Sequence, residues 1–187
     1  MTSTNSTPRR PQPDDRAEPR LGVDIGRVII NGEPGADTTF FGPDEAAVIA
    51  TPGVDGAAEG VRRLVDAFEG RVWLISKCGR RIQERSLRWL EAHDWWDRTG
   101  MDPSHVRFCR ARPDKRGLCL DLGITHMVDD HPEVHTALEG AVAHRYLFGA
   151  HAARPEGPQP VPTWDDAVRE ILATLGGRPA PQVTVSR

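Results

Sequence analysis

The chain has 187 residues, of which 38% are hydrophobic and 27% charged, with a formal net charge of −3. That length suffices for one domain with its own core, and the acidic balance gives no general attraction to nucleic acid or to anionic membranes. No apolar run is long enough to span a bilayer, MTSTNSTPRRPQPDDRAEPR has no apolar stretch of a secretory signal, and three cysteines without a C-x-x-C pair fit a reducing cytoplasm better than a disulfide framework.

In chain order, residues 1–19 are rich in Pro, Ser, Thr, Asp and Arg without apolar periodicity, and read as a disordered tail. Leu21–Ile25 is a buried-strand run whose apolar character continues through Val28–Ile30, and residues 31–52 are irregular. Val54–Phe68 carries apolar residues at helical spacing. Arg71–Ile75 reads as a strand, Arg80–Ala92 as a helix, Val106–Cys109 as a strand and Asp114–Leu122 as a helix stopped by Gly123. Ile124–Val128 follows as a strand, then a helix over Pro132–Leu138, a strand over His144–Phe148 and a helix over Trp164–Leu175 with Thr163 as N-cap. Residues 176–187 read as a flexible tail. One α/β domain over 20–175 is therefore expected, with a parallel sheet covered by helices on both faces.

In such sheets ligands sit outside the carboxyl ends of the strands. The residues there are Asp24, then Ser76 and Lys77, then Asp129, Asp130 and His131, with Lys115 opening the helix before the last of these strands. Three carboxylates on one rim repel each other and call for a cation. Their oxygen donors suit Mg²⁺ better than Zn²⁺. A hydroxyl and an ammonium beside that ion make a pocket for a tetrahedral oxyanion, and Asp24 can then act as a carboxylate nucleophile on a phosphoryl group. Of the 24 basic residues only Lys77 and Lys115 are lysines, and both fall at this rim. The plainer roles stay open: Ser76 suits a helix N-cap, Lys115 a solvated helix start, and Asp129 or Asp130 a cap for the next helix.

The four segments LGVDIGRVII, VWLISK, RPDKRG and THMVDD, with TPGVDGAAEGVRRLV between the first two, resemble in order and spacing the motifs of the haloacid dehalogenase superfamily. The resemblance covers about residues 20–150. It implies a Rossmann-like three-layer sandwich with a mostly parallel sheet and an aspartyl-phosphate phosphohydrolase dependent on Mg²⁺. Asp24 would be nucleophile and metal ligand, and the carbonyl of Gly26 a second ligand. Asp129 and Asp130 would hold the metal, and Ser76 and Lys115 the phosphoryl oxygens; apart from the resemblance, Lys77 beside Ser76, and Arg80 with Arg81 near the rim, are further candidates for contact with a phosphorylated substrate. The gaps at 31–53 and 76–115 leave no room for a separate cap domain. A capless member implies a large phosphorylated substrate or a second copy of the chain acting as a lid.

The main departure is Gly26, which stands where the superfamily has its acid/base Asp. Loss of such a group costs roughly 10²- to 10⁴-fold in rate. Three readings follow: substrates with good leaving groups such as acyl or aryl phosphates; a proton supplied by Asp44, Glu45 or His131; or a protein that binds phosphate, metal or a partner without turnover. Among the remaining features, His131 and His135 have a Zn-like spacing that also suits a polar helix face. Cys78 reads as a buried filler, Trp89, Trp95 and Trp96 as packing, and Arg80, Arg81, Arg85 and Arg88 as a solvated helix face.

Overall fold

The computed structural model describes residues 18–32, 41–151 and 157–176. The expected tails lie outside these ranges except at Glu18, Pro19 and Gly176. Pro19 is already tied in, its carbonyl accepting from Arg71 Nε at 3.2 Å.

The elements run β1 (Leu21–Val23), α1 (Glu45–Ala50), α2 (Ala57–Ala67), β2 (Val72–Lys77), α3 (Arg80–Ala92), α4 (Trp95–Thr99), β3 (Val106–Cys109), a 3₁₀ turn (Arg112–Asp114), α5 (Lys115–Leu122), β4 (His126–Asp129), α6 (Pro132–Ala137), β5 (His144–Phe148), β6 (Gln159–Val161) and α7 (Trp164–Leu175). The six strands form one sheet in the order β3-β2-β1-β4-β5-β6, and every strand pairing in it is parallel. The α/β sandwich expected from the sequence is the fold observed. No helix among the described residues is long and apolar enough to cross a membrane.

Strand periodicity sorts the core into two layers. Val23, Val72, Leu74 and Val128 pack with α2, α3, α4 and α7, whereas Trp73, Ile75 and Met127 pack with α5 and α6. Gly22 belongs to the second face, since a Cβ there would come within 2.6 Å of Met127 Sδ and 3.0 Å of Ile75 Cδ1. By the same alternation Asp24 and Asp129 fall on the face that α5 covers, and Ser76 on the other.

Several boundaries depart from the sequence expectation. β1 stops at Val23 because the chain turns back: Ile29 and Ile30 N–H groups both donate to the Ile25 carbonyl at 3.0 Å, so Val28–Ile30 is a buried turn and not more strand. β2 and β4 run on to Lys77 and Asp129 because β3 and β5 supply partners that far, Lys77 opposite Cys109 and Asp129 opposite Leu147. Ser76, Lys77 and Asp129 therefore end strands instead of following them. Residues 31–52 hold a short helix, α1, capped by Asp44, whose Oδ1 accepts from Ala47 N–H at 2.9 Å. Arg85 donates to the carbonyls of Gly42 and Pro43 at 2.7 Å, and Arg88 pairs with Glu45 at 2.8 Å. These two arginines of the supposed solvated face thus clamp the α1 segment onto α3.

Trp164 packs in the same layer. Its indole N–H donates to the Val28 carbonyl at 2.8 Å, and its ring lies on α2 at Gly60. A Cβ at Gly60 would stand 2.7 Å from Trp164 Cε3. Alanine gains about 1 kcal/mol of helix propensity over glycine, but overpacking against a rigid indole costs about 1–3 kcal/mol. Gly60→Ala should therefore destabilise by about 1 kcal/mol, read as a lower urea midpoint at unchanged m. A raised midpoint would mean that α2 and α7 separate without cost.

Candidate active site

β1 and β4 are neighbours, with Val23 opposite Val128, so the next residues, Asp24 and Asp129, stand side by side at the carboxyl edge. Asp24 N–H continues the ladder to the Val128 carbonyl at 2.9 Å. Both side chains project towards the start of α5, where Lys115 is the first helical residue. Lys115 Nζ donates to Asp24 Oδ1 and to Asp129 Oδ2, each at 2.6 Å. All three are buried, Lys115 at 2% exposure. A lysine in the first turn faces the positive end of the helix dipole, and here two carboxylates compensate it.

The charges are unevenly shared. Burial alone would lower Lys115, but Asp129 and Asp24 outweigh it and hold the ammonium above its ordinary range. Asp24 is pushed up by burial first, with Lys115 opposing and Asp129 adding to the rise. Asp129 is likewise raised by burial against the pull of Lys115. One cation serves two anions, so the lysine is well satisfied and each carboxylate only partly. Asp129 has two further tasks: Oδ1 accepts from His131 N–H at 2.9 Å, and its carbonyl accepts from His135 Nε2 at 2.9 Å. Burial lowers His135 to about 4, so its ring is neutral and Nε2 carries the hydrogen.

Asp130 pairs instead with Arg27, Nε to Oδ2 at 2.6 Å. Its carboxyl is raised by burial first and then by the Asp24 charge, with Arg27 opposing. The third carboxylate therefore feels the same pocket. The pairing with Arg27, 103 residues away, was not legible in the sequence.

The remaining expected site residues are placed as follows. Ser76 is buried at the end of β2, and no hydrogen bond among the described residues joins its hydroxyl to the Lys115 cluster. It does not cap α3, whose N-cap is Gly79. Lys77 ends β2, half-buried. Arg80 is 86% exposed and pairs with Glu84 one turn along α3 at 3.0 Å, and no ion pair among the described residues joins it to Asp24, Asp129 or Asp130. Gly26 lies in the turn after Asp24, bridged to Ile30. Of the three candidate proton donors, Asp44 caps α1 and Glu45 pairs with Arg88. His131 is the N-cap residue of α6, next to Asp130. The His131–His135 spacing belongs to no ligand set of three or more His, Cys, Asp or Glu side chains among the described residues, and His135 donates from Nε2 to the Asp129 carbonyl. Cys78, Cys109 and Cys119 are free and buried, and burial pushes Cys78 up to about 11, which leaves it an inert thiol.

The donor chemistry fits a divalent cation. The donors are carboxylate oxygens, and all three carboxyls are raised, by burial first and in smaller part by a neighbouring carboxylate, so a further cation at their oxygens would favour the charged forms. Among the described residues no three His, Cys, Asp or Glu side chains are gathered as a ligand set, because Asp24 and Asp129 turn to Lys115 and Asp130 to Arg27. A metal here would share its ligands with two resident cations.

No protein-family model and no curated protein matches the chain. Solved structures do. The D,D-heptose 1,7-bisphosphate phosphatase of Burkholderia thailandensis superposes with a TM-score of 0.54 at 12% identity, over 83% of this chain and 99% of that one. A haloacid dehalogenase-like family hydrolase of Xanthomonas campestris gives 0.55 at 14% identity, over 87% and 99% respectively. The fold is that of the haloacid dehalogenase-like hydrolases. At these identities the likeness is one of architecture, so the chemistry rests on the side chains themselves.

Lys115→Met tests how far the cluster depends on its one ammonium. Removing one partner of a buried ion pair costs about 3–5 kcal/mol because the other charge stays buried. The folded-state carboxyl pKa values are already raised and rise further without Lys115. The folded state therefore binds protons that the unfolded state has released, and the cost shrinks as pH falls. Urea denaturation should show the full loss at pH 8 and a smaller one at pH 5. An equal loss at both would mean that Asp24 and Asp129 do not carry the lost charge balance.

Proposed function

We propose that the protein is a divalent-metal-dependent, capless phosphohydrolase that acts through Asp24. The observation that carries this reading is the buried Asp24–Lys115–Asp129 triad, formed by residues 91 and 14 positions apart at the carboxyl edge of a sheet of this fold. Lys115 holds the Asp24 carboxylate in place and lowers the repulsion that an arriving phosphate dianion would meet. One Asp24 oxygen forms a bond to phosphorus as the ester oxygen leaves with its electron pair, giving an aspartyl phosphate. Water then adds to that phosphorus and releases inorganic phosphate and the free carboxylate. Asp24, Asp129, Asp130 and the Gly26 carbonyl would hold Mg²⁺, which supplies charge neutralisation for the phosphoryl group. Ser76, Lys115 and Lys77 would bind its oxygens.

Gly26 carries no proton, and Asp44 and Glu45 are committed to α1 and α3. Unless His131, the N-cap residue of α6 beside Asp130, donates the proton, the leaving group departs largely unaided, which favours acyl or aryl phosphates of low leaving-group pKa. The described elements between Ser76 and Lys115 all belong to the main sheet or pack on its helices. That supports an open rim able to take a large substrate or the surface of a second copy.

With Mg²⁺, the full chain should hydrolyse p-nitrophenyl phosphate, and Asp24→Asn should lower kcat by roughly 10³-fold or more. Absence of turnover in the wild type, with inorganic phosphate still bound, would favour a phosphate-binding protein that keeps the fold without the reaction. Gly26→Asp should raise hydrolysis of an alkyl phosphate by roughly 10²-fold or more if a missing acid is what limits the rate. A fall would show that the space at residue 26 is used by the substrate.

A further inference from the structure

Arg27 holds a backbone conformation that side-chain-bearing residues seldom adopt, φ 58°. The turn imposes it: Arg27 N–H donates to the Ile30 carbonyl at 2.8 Å, and Ile25 and Val28 on either side are buried. Strain of this kind persists only where the surroundings determine it, and it collects at functional positions. Its result is to aim a guanidinium at the candidate metal ligands. Arg27 Nε lies 2.6 Å from Asp130 Oδ2, with the Asp130 side chain 16% exposed and that of Arg27 44% exposed. The pocket then holds three carboxylates against two resident cations, Lys115 and Arg27. A divalent ion at Asp130 would compete with the guanidinium for the same lone pairs and would be repelled by its charge.

We propose that Arg27 is a built-in counter-cation that competes with a divalent metal for the Asp130 carboxylate, so that metal binds tightly only once Arg27 lets go. This rests on the reading of Asp24, Asp129 and Asp130 as the metal site. The Arg27 side chain already reaches solvent, so leaving Asp130 does not take its charge through the core. Lys115 has no such exit: it is buried beneath both of its partners. Of the two resident cations, Arg27 is therefore the one that yields to a metal.

The test is direct titration of Mn²⁺ into the full chain, with free Mn²⁺ read by its electron paramagnetic resonance signal and no substrate present. Arg27→Gly removes the cation and accepts the left-handed turn at no steric cost. It should bind Mn²⁺ about tenfold or more tighter than the wild type, as expected for deletion of a unit charge a few ångströms from the ion at low effective dielectric. Arg27→Lys, which keeps the charge, should stay near the wild-type affinity. Adding Asp130→Asn to Arg27→Gly should abolish the gain. Unchanged or weaker affinity in Arg27→Gly, no detectable Mn²⁺ in either protein, or a gain that survives Asp130→Asn would each overturn the proposal. The readout separates it from the proposed reaction. Turnover lost in Asp24→Asn with equal Mn²⁺ affinities would sink this inference alone, and a tighter Arg27→Gly without any phosphatase activity would sink the reaction alone.

Discussion

The structure depends on one buried ammonium. Taking Lys115 out of water is costly, and so is taking out either carboxylate alone. Only together, at 2.6 Å on each side, do the three charges become tolerable. The consequence is geometric. Asp24 directly follows β1, Asp129 ends β4 and Lys115 opens α5, so the ion triad ties the register of two parallel strands to the height of the helix that crosses from β3 to β4. A one-residue slip of β4 against β1 would turn Asp129 to the opposite face of the sheet and leave the lysine with half its partners. The same contact that makes a pocket for chemistry thus selects the topology around it.

That face assignment shows how much of the site was readable beforehand. Alternation along LGVD and HMVD puts both acids on one face, and a lysine at the start of the helix covering that face has nowhere else to reach. Strand-end position is a local signal, and with the motif resemblance it singled out Asp24, Asp129 and Lys115. What failed to show in the sequence has non-local causes. β6 contains Pro160, which demotes a three-residue run from any strand pattern. It exists because it is an edge strand paired only with β5. α4 is five residues long, too short for periodicity, and is bracketed by Asp94 and Gly100 in left-handed conformations. Arg85 and Arg88 read as solvated because their partners, the carbonyls at 42 and 43 and the Glu45 carboxylate, lie some forty residues away. Arg80, on the same helix, was expected at the phosphate and instead closes an i,i+4 pair with Glu84, the local option for an exposed arginine.

The buried titratable groups pull stability in opposite directions with pH. The folded carboxyls are raised, so the stability they cost at neutral pH is recovered as pH falls through their folded values. The buried imidazoles are depressed, His126 to about 3 and His135 to about 4, chiefly by burial. Between those values and about 6.5 the unfolded state binds their protons and the folded state does not, so stability is lost as pH falls. His126 is held neutral between the hydroxyls of Thr125, 2.7 Å from Nδ1, and Thr174, 3.0 Å from Nε2. His126 and Asp129 lie at opposite ends of β4, whereas His135 meets the Asp129 end, its Nε2 donating to the Asp129 carbonyl. A single strand therefore carries both the group that acid would relieve and the group that acid would charge.

The turn after β1 brings the functional argument to one place. Two adjacent residues there move the local charge in the same direction: Gly26 contributes no carboxylate, and Arg27 contributes a guanidinium. Each change alone has an ordinary explanation, a turn that accepts glycine and a surface arginine. Their coincidence in adjacent residues of the turn that brings Arg27 to Asp130 does not, because the backbone at Arg27 is held in an unfavourable conformation to deliver that charge. A site so biased neutralises part of its own negative field. It has less need of a metal to assemble and less means of protonating a leaving group. On the proposed phosphohydrolase reading, both effects favour substrates whose phosphoryl bond is already weak, and a pocket selective for what can displace an arginine.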